Sequence, residues 1–444
     1  MAPVERPLVL AEGVVNPDSH PVADPSTSGP PAKRRVLLLA LHNSYRIGAY
    51  SEAARLEGIE LVIATQGSHS LVPEAAGGLH IDLQRPAEAV KHISAEALHA
   101  PFLAVVACED ATVELASRVA QALGLKHNPP GASRIARRKD LARTALAARG
   151  VPVPCFRRID LTADLSAQIA AIPYPCVAKP LALSASRGVI RANNTQELIA
   201  ACRRISALVQ SEFDEEIRRY ILVEQFLPGV EVAVEGLLSD GQLQILAIFD
   251  KPDPLDGPYF EETYYVTPSR LSLTAQAQVY QQLCAACEAY GLQQGPVHAE
   301  LRIAGDRAWI IEVAARTIGG DCARLLQFET GISLEQVVLR CALREPVQGA
   351  QLHDAAGVMM IPTPRAGVLR RVEGVLAARR VTYIEDVEIT IREGYELTPL
   401  PEGGTYLGFI FAKGPTPYQV EQALRQAYQK LKVVVAPMWR LASV

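Results

Sequence analysis

The sequence of 444 residues contains no run of about 18 uncharged apolar residues, so no membrane-spanning helix is expected. It has no Lys/Arg-rich tract, and a formal net charge of −4 argues against a general polyanion binder, nucleic acid included. No GxGxxG follows the first predicted strand and no GxxxxGK(S/T) occurs anywhere, which disfavours a dinucleotide-type Rossmann site and a P-loop. No internal repeat is visible. No secretory signal is expected from the first residues, since the apolar patch Leu8 to Leu10 is short and is interrupted by Glu12. The eight cysteines are scattered, and only Cys284 and Cys287 have a metal-like spacing. They sit in "YQQLCAACEAYGL", whose periodicity is helical, with no second pair nearby, so they read as one packed helix face. Unpaired cysteines in apolar surroundings fit a reducing, cytoplasmic setting.

What is present is ordinary globular composition, 49% hydrophobic and 21% charged, in a chain long enough for two to four domains. Residues 1–33 are rich in Pro and Ser and are expected to form a disordered tail. From "RRVLLLALH" to "TVELASRVAQALG", strand and helix patterns alternate. That predicts a doubly wound α/β domain over residues 34–127. Such sheets bind ligands beyond the carboxyl ends of their strands, which makes His42, Asn43 and Tyr45 candidate pocket residues. Pro129-Pro130-Gly131 reads as a linker. Residues 128–345 follow as a larger mixed region with a hairpin signal at Asp240-Gly241. Residues 346–444 close the chain with short strands and the helix "TPYQVEQALRQAYQKLK".

The chemistry concentrates near "VHAELRIAGDRAWIIEVAARTIGGD". Two strands flank a turn at Gly305-Asp306. A three-residue loop would put Glu300 and Glu312 on one sheet face with His298 beside them, and a two-residue loop would put them on opposite faces. Two carboxylates on an apolar face repel, and a hard divalent cation, Mg²⁺ or Mn²⁺, resolves the conflict. Arg316 follows, able to grip a phosphate or carboxylate bidentately, and then Gly319 and Gly320, where backbone N–H groups can approach an anion. Lys139 lies in "RRKDLAR". Lys179 ends the strand "CVAKP" and precedes a small-residue loop in which Ser184, Ser186, Arg187 and Gly188 can cap phosphates. "ILVEQFLPGVEV" adds Glu224 after an apolar strand and Glu231 after a Pro-Gly turn. "FDKPDPLDGPYFEETYYVTPSR" reads as a substrate loop with Lys251, Glu262 and Tyr264 as its candidates.

Taken in order, Lys139, Lys179 with its Ser/Gly loop, "VEQFLPGVEV", Glu300 and "EVAAR" resemble the ATP-grasp superfamily of carboxylate–amine ligases over about residues 35 to 440. The resemblance implies an α/β (α+β) ATP-grasp fold with an N-terminal doubly wound domain and a C-terminal lid. It implies ATP and Mg²⁺ as cofactors, a small carboxylate and an amine as substrates, and a homodimer. Lys139 and Lys179 would contact the ATP phosphates. Glu224, Gln225, Phe226 and Leu227 would form the adenine-recognising hinge, and Glu231 would take the ribose. Glu300 and Glu312 would bind the metal, and Arg316, Lys179 and His298 would be catalytic. The family pattern E-x-N-x-R has Ala314 in place of Asn here. "EVAAR" followed by Gly is similar to L-amino-acid (dipeptide) ligases and the carnosine-synthase type, in which that Arg and Gly hold an amino-acid carboxylate. Gly320 stands where a bacterial dipeptide ligase of this group carries Trp, which implies a roomier pocket. The function implied is amide-bond formation through an acyl-phosphate. The other readings are an ATP-dependent carboxylase of the biotin-carboxylase or purine-carboxylase type and a catalytically silent nucleotide binder.

Overall fold

The computed structural model describes residues 34–66, 78–305, 307–326, 331–347 and 354–438. The stretch 1–33, predicted as a tail, lies outside the described residues, as does Asp306 of the predicted turn. Four strands open the described chain: β1 (Arg35–Ala40), β2 (Glu60–Gln66), β3 (Gly78–Ile81) and β4 (Ala104–Ala107). They pair in parallel in the order β3-β2-β1-β4. β1 is apolar without alternation because both of its faces are covered. Val36 and Leu38 pack into one cluster, Leu37 and Leu39 into another, and all four are fully buried. Helices Ile47–Leu56, Pro86–His99 and Asp110–Ala122 accompany the strands, as the alternation predicts. Pro129-Pro130-Gly131 is not a linker. Pro130 opens a helix, Pro130–Arg137, where a residue without an N–H loses no intrahelical bond.

A second sheet follows, made of β5 (Phe156–Asp160), β6 (Cys176–Pro180), β7 (Ile190–Ala192) and β8 (Tyr220–Gln225). Its order is β5-β8-β6-β7 and all its pairs are antiparallel. Period-two alternation divides its faces. Cys176, Ala178, Ile221 and Val223 pack on helix Thr195–Leu208, while Val177, Lys179 and Glu224 face the other way, into the cleft described below.

The third sheet is the frame of the site. Its strands come from β9 (Val230–Ser239), β10 (Gln242–Lys251), β11 (Tyr264–Thr267), β12 (Gly295–Ala304), β13 (Arg307–Ala314) and β14 (Ala355–Ile361). After β15 (Gly367–Glu373) come β16 (Ile384–Ile389), β17 (Glu396–Leu397), β18 (Gly408–Gly414) and β19 (Lys432–Ala436). Eight strands form one sheet in the order β13-β12-β9-β10-β11-β14-β18-β16, and β17-β15-β19 form a small separate one. The C-terminal region therefore continues the same sheet through β14, β18 and β16. Asp240 and Gly241, with φ of +48° and +81°, make the two-residue turn between Ser239 and Gln242 that the Asp-Gly pair predicts. Behind β9, β12 and β13, helix Leu273–Tyr290 packs Val279, Leu283 and Cys287 against Val297, Ala299, Leu301 and Ile310. Cys284 and Cys287 are thus helix-face residues, Cys287 buried.

Gly229 joins the second sheet to the third. Its φ is +113°, and a Cβ there would lie 2.1 Å from the Ile303 carbonyl oxygen on β12. Both the conformation and the space require glycine. Gly229→Ala is expected to destabilise the protein by about 2 kcal/mol or more. Chemical denaturation checks it, with Gly241→Ala, where a Cβ meets nothing within 4 Å, isolating the conformational part.

Candidate active site

A cleft of about 960 Å³ opens between the second and third sheets. It is also lined by Tyr45, Arg46, Glu109 and Asp110 from the carboxyl ends of β1 and β4, and by Met360, Tyr406 and Phe409 from the C-terminal region. Tyr45 is the one residue of the predicted trio that reaches it. His42 and Asn43 are exposed outside it.

The face of the third sheet turned to the cleft carries charge in cross-strand rows. Arg302, Glu231 and Lys251 stand side by side on β12, β9 and β10. In the next row Glu312 pairs with Glu300 across β13 and β12, and in the third Ala314, His298 and Glu235 are neighbours. Glu300 and Glu312 share a face, as predicted, but by another route. Ala304 pairs with Arg307, so the connection has two residues, and a bulge between Glu300 and Leu301 restores the register by opposing Leu301 to Ile310 and Glu300 to Glu312. The extra residue, Ile311, has its carbonyl held by Arg143 Nη2 at 2.9 Å.

The acids are compensated unequally. Lys251 Nζ donates to Glu231 at 2.8 Å, Glu262 at 2.5 Å and Glu300 at 3.0 Å. The ligand oxygens of these three glutamates lie within 4.8 Å of one another, a grouping able to hold a cation, but the ammonium stands among them already. Burial opposes the charge on Lys251, and Glu231, Glu262 and Glu300 outweigh it, so its pKa is raised. The predicted substrate contact by Lys251 is therefore corrected. It does not line the cleft but lies buried beneath it. Glu231, predicted for a ribose, lines the cleft with its carboxylate already committed to Lys251 and to Arg302 Nε at 2.7 Å. Burial, then the neighbouring Glu262, pushes Glu300 up to about 6. Glu312 is half-buried and 3.4 Å from Lys139.

Tyr264 is a second correction. On β11 successive side chains alternate, so Tyr264 packs into the core with Leu369 and Ile410, and Tyr265 faces the cleft, donating to Glu262 at 2.7 Å. Glu262 lines the cleft as predicted.

On the opposite wall, Lys179 donates to Glu224, and Arg143 grips the same carboxylate at 2.7 and 3.2 Å. Burial alone would raise Glu224, but Arg143 and Lys179 bring it down to about 2. Lys139 Nζ donates to the Leu183 carbonyl at 2.8 Å, fastening the loop that carries Ser184, Ser186 and Arg187. Those three line the cleft. Gly188 does not: its N–H is given to the Pro401 carbonyl at 2.8 Å, so it is not a phosphate donor. Gln225, Phe226 and Leu227 line the far end. The N–H groups of Gln225 and Phe226 go to the Cys155 and Pro175 carbonyls, while that of Leu227 has no acceptor among the described residues. Phe226 stacks on Phe260 with centroids 6.4 Å apart.

At the other end, Arg316 Nη2 reaches Asp110 at 2.8 Å, and Gly319 and Gly320 line the wall beside it. Gly320 does not leave extra room. Its φ is +61° and a Cβ there would meet Met360 Sδ at 2.8 Å, so Met360 fills the space. His298 is buried with Nδ1 3.2 Å from Glu235, which also accepts the Ile318 N–H at 3.1 Å. Burial pushes Glu235 well up, and burial with Arg316, Lys251 and Arg46 pushes His298 well down. Glu235 thus holds both the His298 ring and the Ile318 N–H from one buried carboxyl group.

Glu235, Arg302, Asp110, Arg143, Tyr265 and Arg46 escaped the sequence reading. Two left a signal: Glu235 shares the face of Glu231 on "VEVAVE", and Arg302 that of His298 and Glu300 on "HAELR". Asp110, Arg143 and Arg46 act across long sequence separations, for which the sequence carries no local sign.

An ATP-grasp domain model matches residues 172–324, spanning Lys179, the hinge, Glu300, Glu312 and Arg316, and an L-amino acid ligase C-terminal domain model matches residues 359–436. The D-alanine–D-alanine ligase of Gloeobacter violaceus is 31% identical over 234 residues, 49% of this chain and 72% of that protein. The chain belongs to the ATP-grasp superfamily. The alanine–anticapsin ligase of Bacillus subtilis is 26% identical over 239 residues, half of each chain. This ATP-grasp chain therefore spans about half the length of that curated relative, and 61% of the length of another. The crystal structure of an L-amino acid ligase from Bacillus licheniformis superposes with a TM-score of 0.79 at 24% identity, covering 91% of this chain and 99% of that one. The predicted fold class is the one found.

Within this ATP-grasp cleft the Glu224 cluster sets an acid limit. A carboxyl moved from 4.5 to about 2 contributes about 3 kcal/mol at neutral pH. Its folded pKa is depressed, so the contribution is present above about 4.5 and is lost as pH falls through about 2. Glu224→Gln is expected to cost about 3 kcal/mol at pH 7, with the gap to the parent narrowing at pH 3, in urea titrations at both values.

Proposed function

We propose that this ATP-grasp chain is an ATP-dependent carboxylate–amine ligase that forms an amide bond with an amino acid as one substrate. The observation that carries this reading is the convergence, in one cleft, of two lysines on one wall, the paired carboxylates Glu300 and Glu312 on the other and Arg316 at the end. The names of its relatives, alanine–anticapsin ligase and D-alanine–D-alanine ligase, support the substrate class.

ATP would lie with its adenine along Gln225–Leu227 against Phe226, and its phosphates toward Lys179, Lys139, Ser184, Ser186 and Arg187. Mg²⁺ suits the Glu300–Glu312 pair, since hard carboxylate oxygens face the cleft there and the residual negative charge asks for a cation. Bound there, it would screen the phosphate charge. The site has no Asn at 314, so the two glutamates are the donors offered by these strands. The substrate carboxylate attacks the γ-phosphorus and ADP leaves, giving an acyl-phosphate whose charge Lys179 and Arg316 offset. The amine nitrogen then attacks the acyl carbon. The C–O bond to phosphate breaks, and the departing phosphate takes up the proton that the amine sheds. His298, held at Nδ1 by Glu235, lines the cleft, where its other ring nitrogen would orient a substrate. The C-terminal strands over the cleft, with Tyr406 and Phe409, keep water from the acyl-phosphate.

The test is phosphate release from ATP and Mg²⁺ against pairs of amino acids and small amines, with mass spectrometry of products. The expected result is release that requires one pair and a product of their summed mass less one water. Glu312→Gln should lower that turnover about a hundredfold or more. Full turnover in this variant, or no release with any pair despite ATP binding, would overturn the reading.

A further inference from the structure

Arg46 stands at the carboxyl end of β1, 8% exposed, and lines the cleft beside Arg316. Its Nε donates to the Tyr45 hydroxyl at 3.2 Å. Nη1 donates to the Cys108 carbonyl at 2.6 Å and to Thr317 Oγ1 at 2.9 Å, and Nη2 to the Ile318 carbonyl at 2.6 Å. A guanidinium has five N–H groups, so one N–H on Nη2 has no acceptor among the described residues. All of these acceptors are neutral oxygens, and no carboxylate among the described residues lies within ion-pair distance. Burying a guanidinium without a counter-charge is costly. Asp110 is already committed to Arg316. Nη2 also faces the glycine pair, since a Cβ on Gly319 would have Arg46 Nη2, at 3.8 Å, as its sole neighbour within 4 Å.

We propose that Arg46 and Arg316 together hold the carboxylate that is not activated, that of the amino acid supplying the amine, so that the N-terminal sheet supplies half of the anion clamp. This rests on the ligase reading above and extends it to a specificity-determining residue. Arg316 has a carboxylate partner in Asp110 and Arg46 has none within ion-pair distance among the described residues, so the pair keeps one guanidinium without an ion-pair partner, which suits a monoanionic carboxylate. Arg46 Nη2 lies beside Gly319, whose missing side chain opens the approach, and Arg316 lines the same end of the cleft. The site therefore selects an amino acid with a free carboxylate against its carboxamide, which offers the same shape without the charge.

The experiment compares the amine-supplying amino acid of the pair found in the screen with its carboxamide, the carboxyl donor unchanged, in the full-length protein and in Arg46→Lys, Arg46→Gln and Arg46→Ala. The expected parent preference for the acid is about a hundredfold or more in kcat/KM. In Arg46→Ala and Arg46→Gln that preference should collapse to within a few-fold, chiefly through KM for the acid, with KM for ATP little changed and Arg46→Lys intermediate. A residue that only clamps the 316–320 loop would lower acid and amide alike and leave their ratio intact, and that result sinks the proposal. So does a parent enzyme indifferent to the amide. If no pair turns over, the ligase reading fails separately. The same comparison is then read by calorimetric titration of the twenty amino acids and their carboxamides with Mg²⁺ and a non-hydrolysable ATP analogue. Equal binding of acid and amide by the parent, or a preference that survives in Arg46→Gln, overturns the inference there.

Discussion

The ammonium of Lys251 allows the face of the large sheet to be acidic at all. Three carboxylates, Glu231, Glu262 and Glu300, come within 4.8 Å of one another on a surface flanked by buried apolar strands. In that setting the repulsion and desolvation of three like charges exceed what packing could offset. Lys251, opposite Glu231 on β10, and Arg302, opposite it on β12, provide two cations against the three acids. One negative charge is left over, and it sits toward Glu300, whose carboxyl is pushed up to about 6. The neighbouring Glu312 adds to it. The cleft face thus keeps its surplus of negative charge at Glu300 and Glu312, the place proposed above for a cation.

The geometry of that surplus depends on one inserted residue. Without the bulge at Ile311, a hairpin with a two-residue connection would put Glu312 on the helix-covered face, in the core that Val297 and Ile310 occupy. The bulge turns it to the cleft, and Arg143 pins the bulged carbonyl while also gripping Glu224 on the opposite sheet. One guanidinium therefore ties the strand that carries Glu312 to the lysine-bearing wall. The far end of the cleft is tied in the same manner. Arg46 and Asp110 reach from the parallel sheet to the segment 316–318, and Glu235 takes its Ile318 N–H from below. The cleft is bounded by three sheets joined by buried charged side chains.

The local signals in the chain were enough for the strand-and-helix order, the Asp240-Gly241 turn, the helical cysteine pair and the placement of Lys139, Lys179, Glu300, Glu312 and Arg316. Each rests on periodicity, turn chemistry or an ion in an apolar strand, and those properties belong to short segments. Where the reading slipped, the competing effect was equally specific. Tyr264 and Tyr265 differ by one position on a strand, and the choice between them depends on which face is covered. Gly188 resembled its phosphate-loop neighbours until Pro401, over two hundred residues away, accepted its N–H.

By itself, then, the sequence determined the chemistry available to this protein: which ionisable groups end strands, which glycines open loops, and that these come in ATP-grasp order. Only the tertiary structure decided which groups remain free to act. Whether a carboxylate awaits a metal or is already neutralised by a lysine depends on neighbours across the sheet. Whether a guanidinium is spent or available depends on partners from other sheets. Electrostatic energies fall off over a few ångströms in space, and that distance is set by the fold rather than by position along the chain.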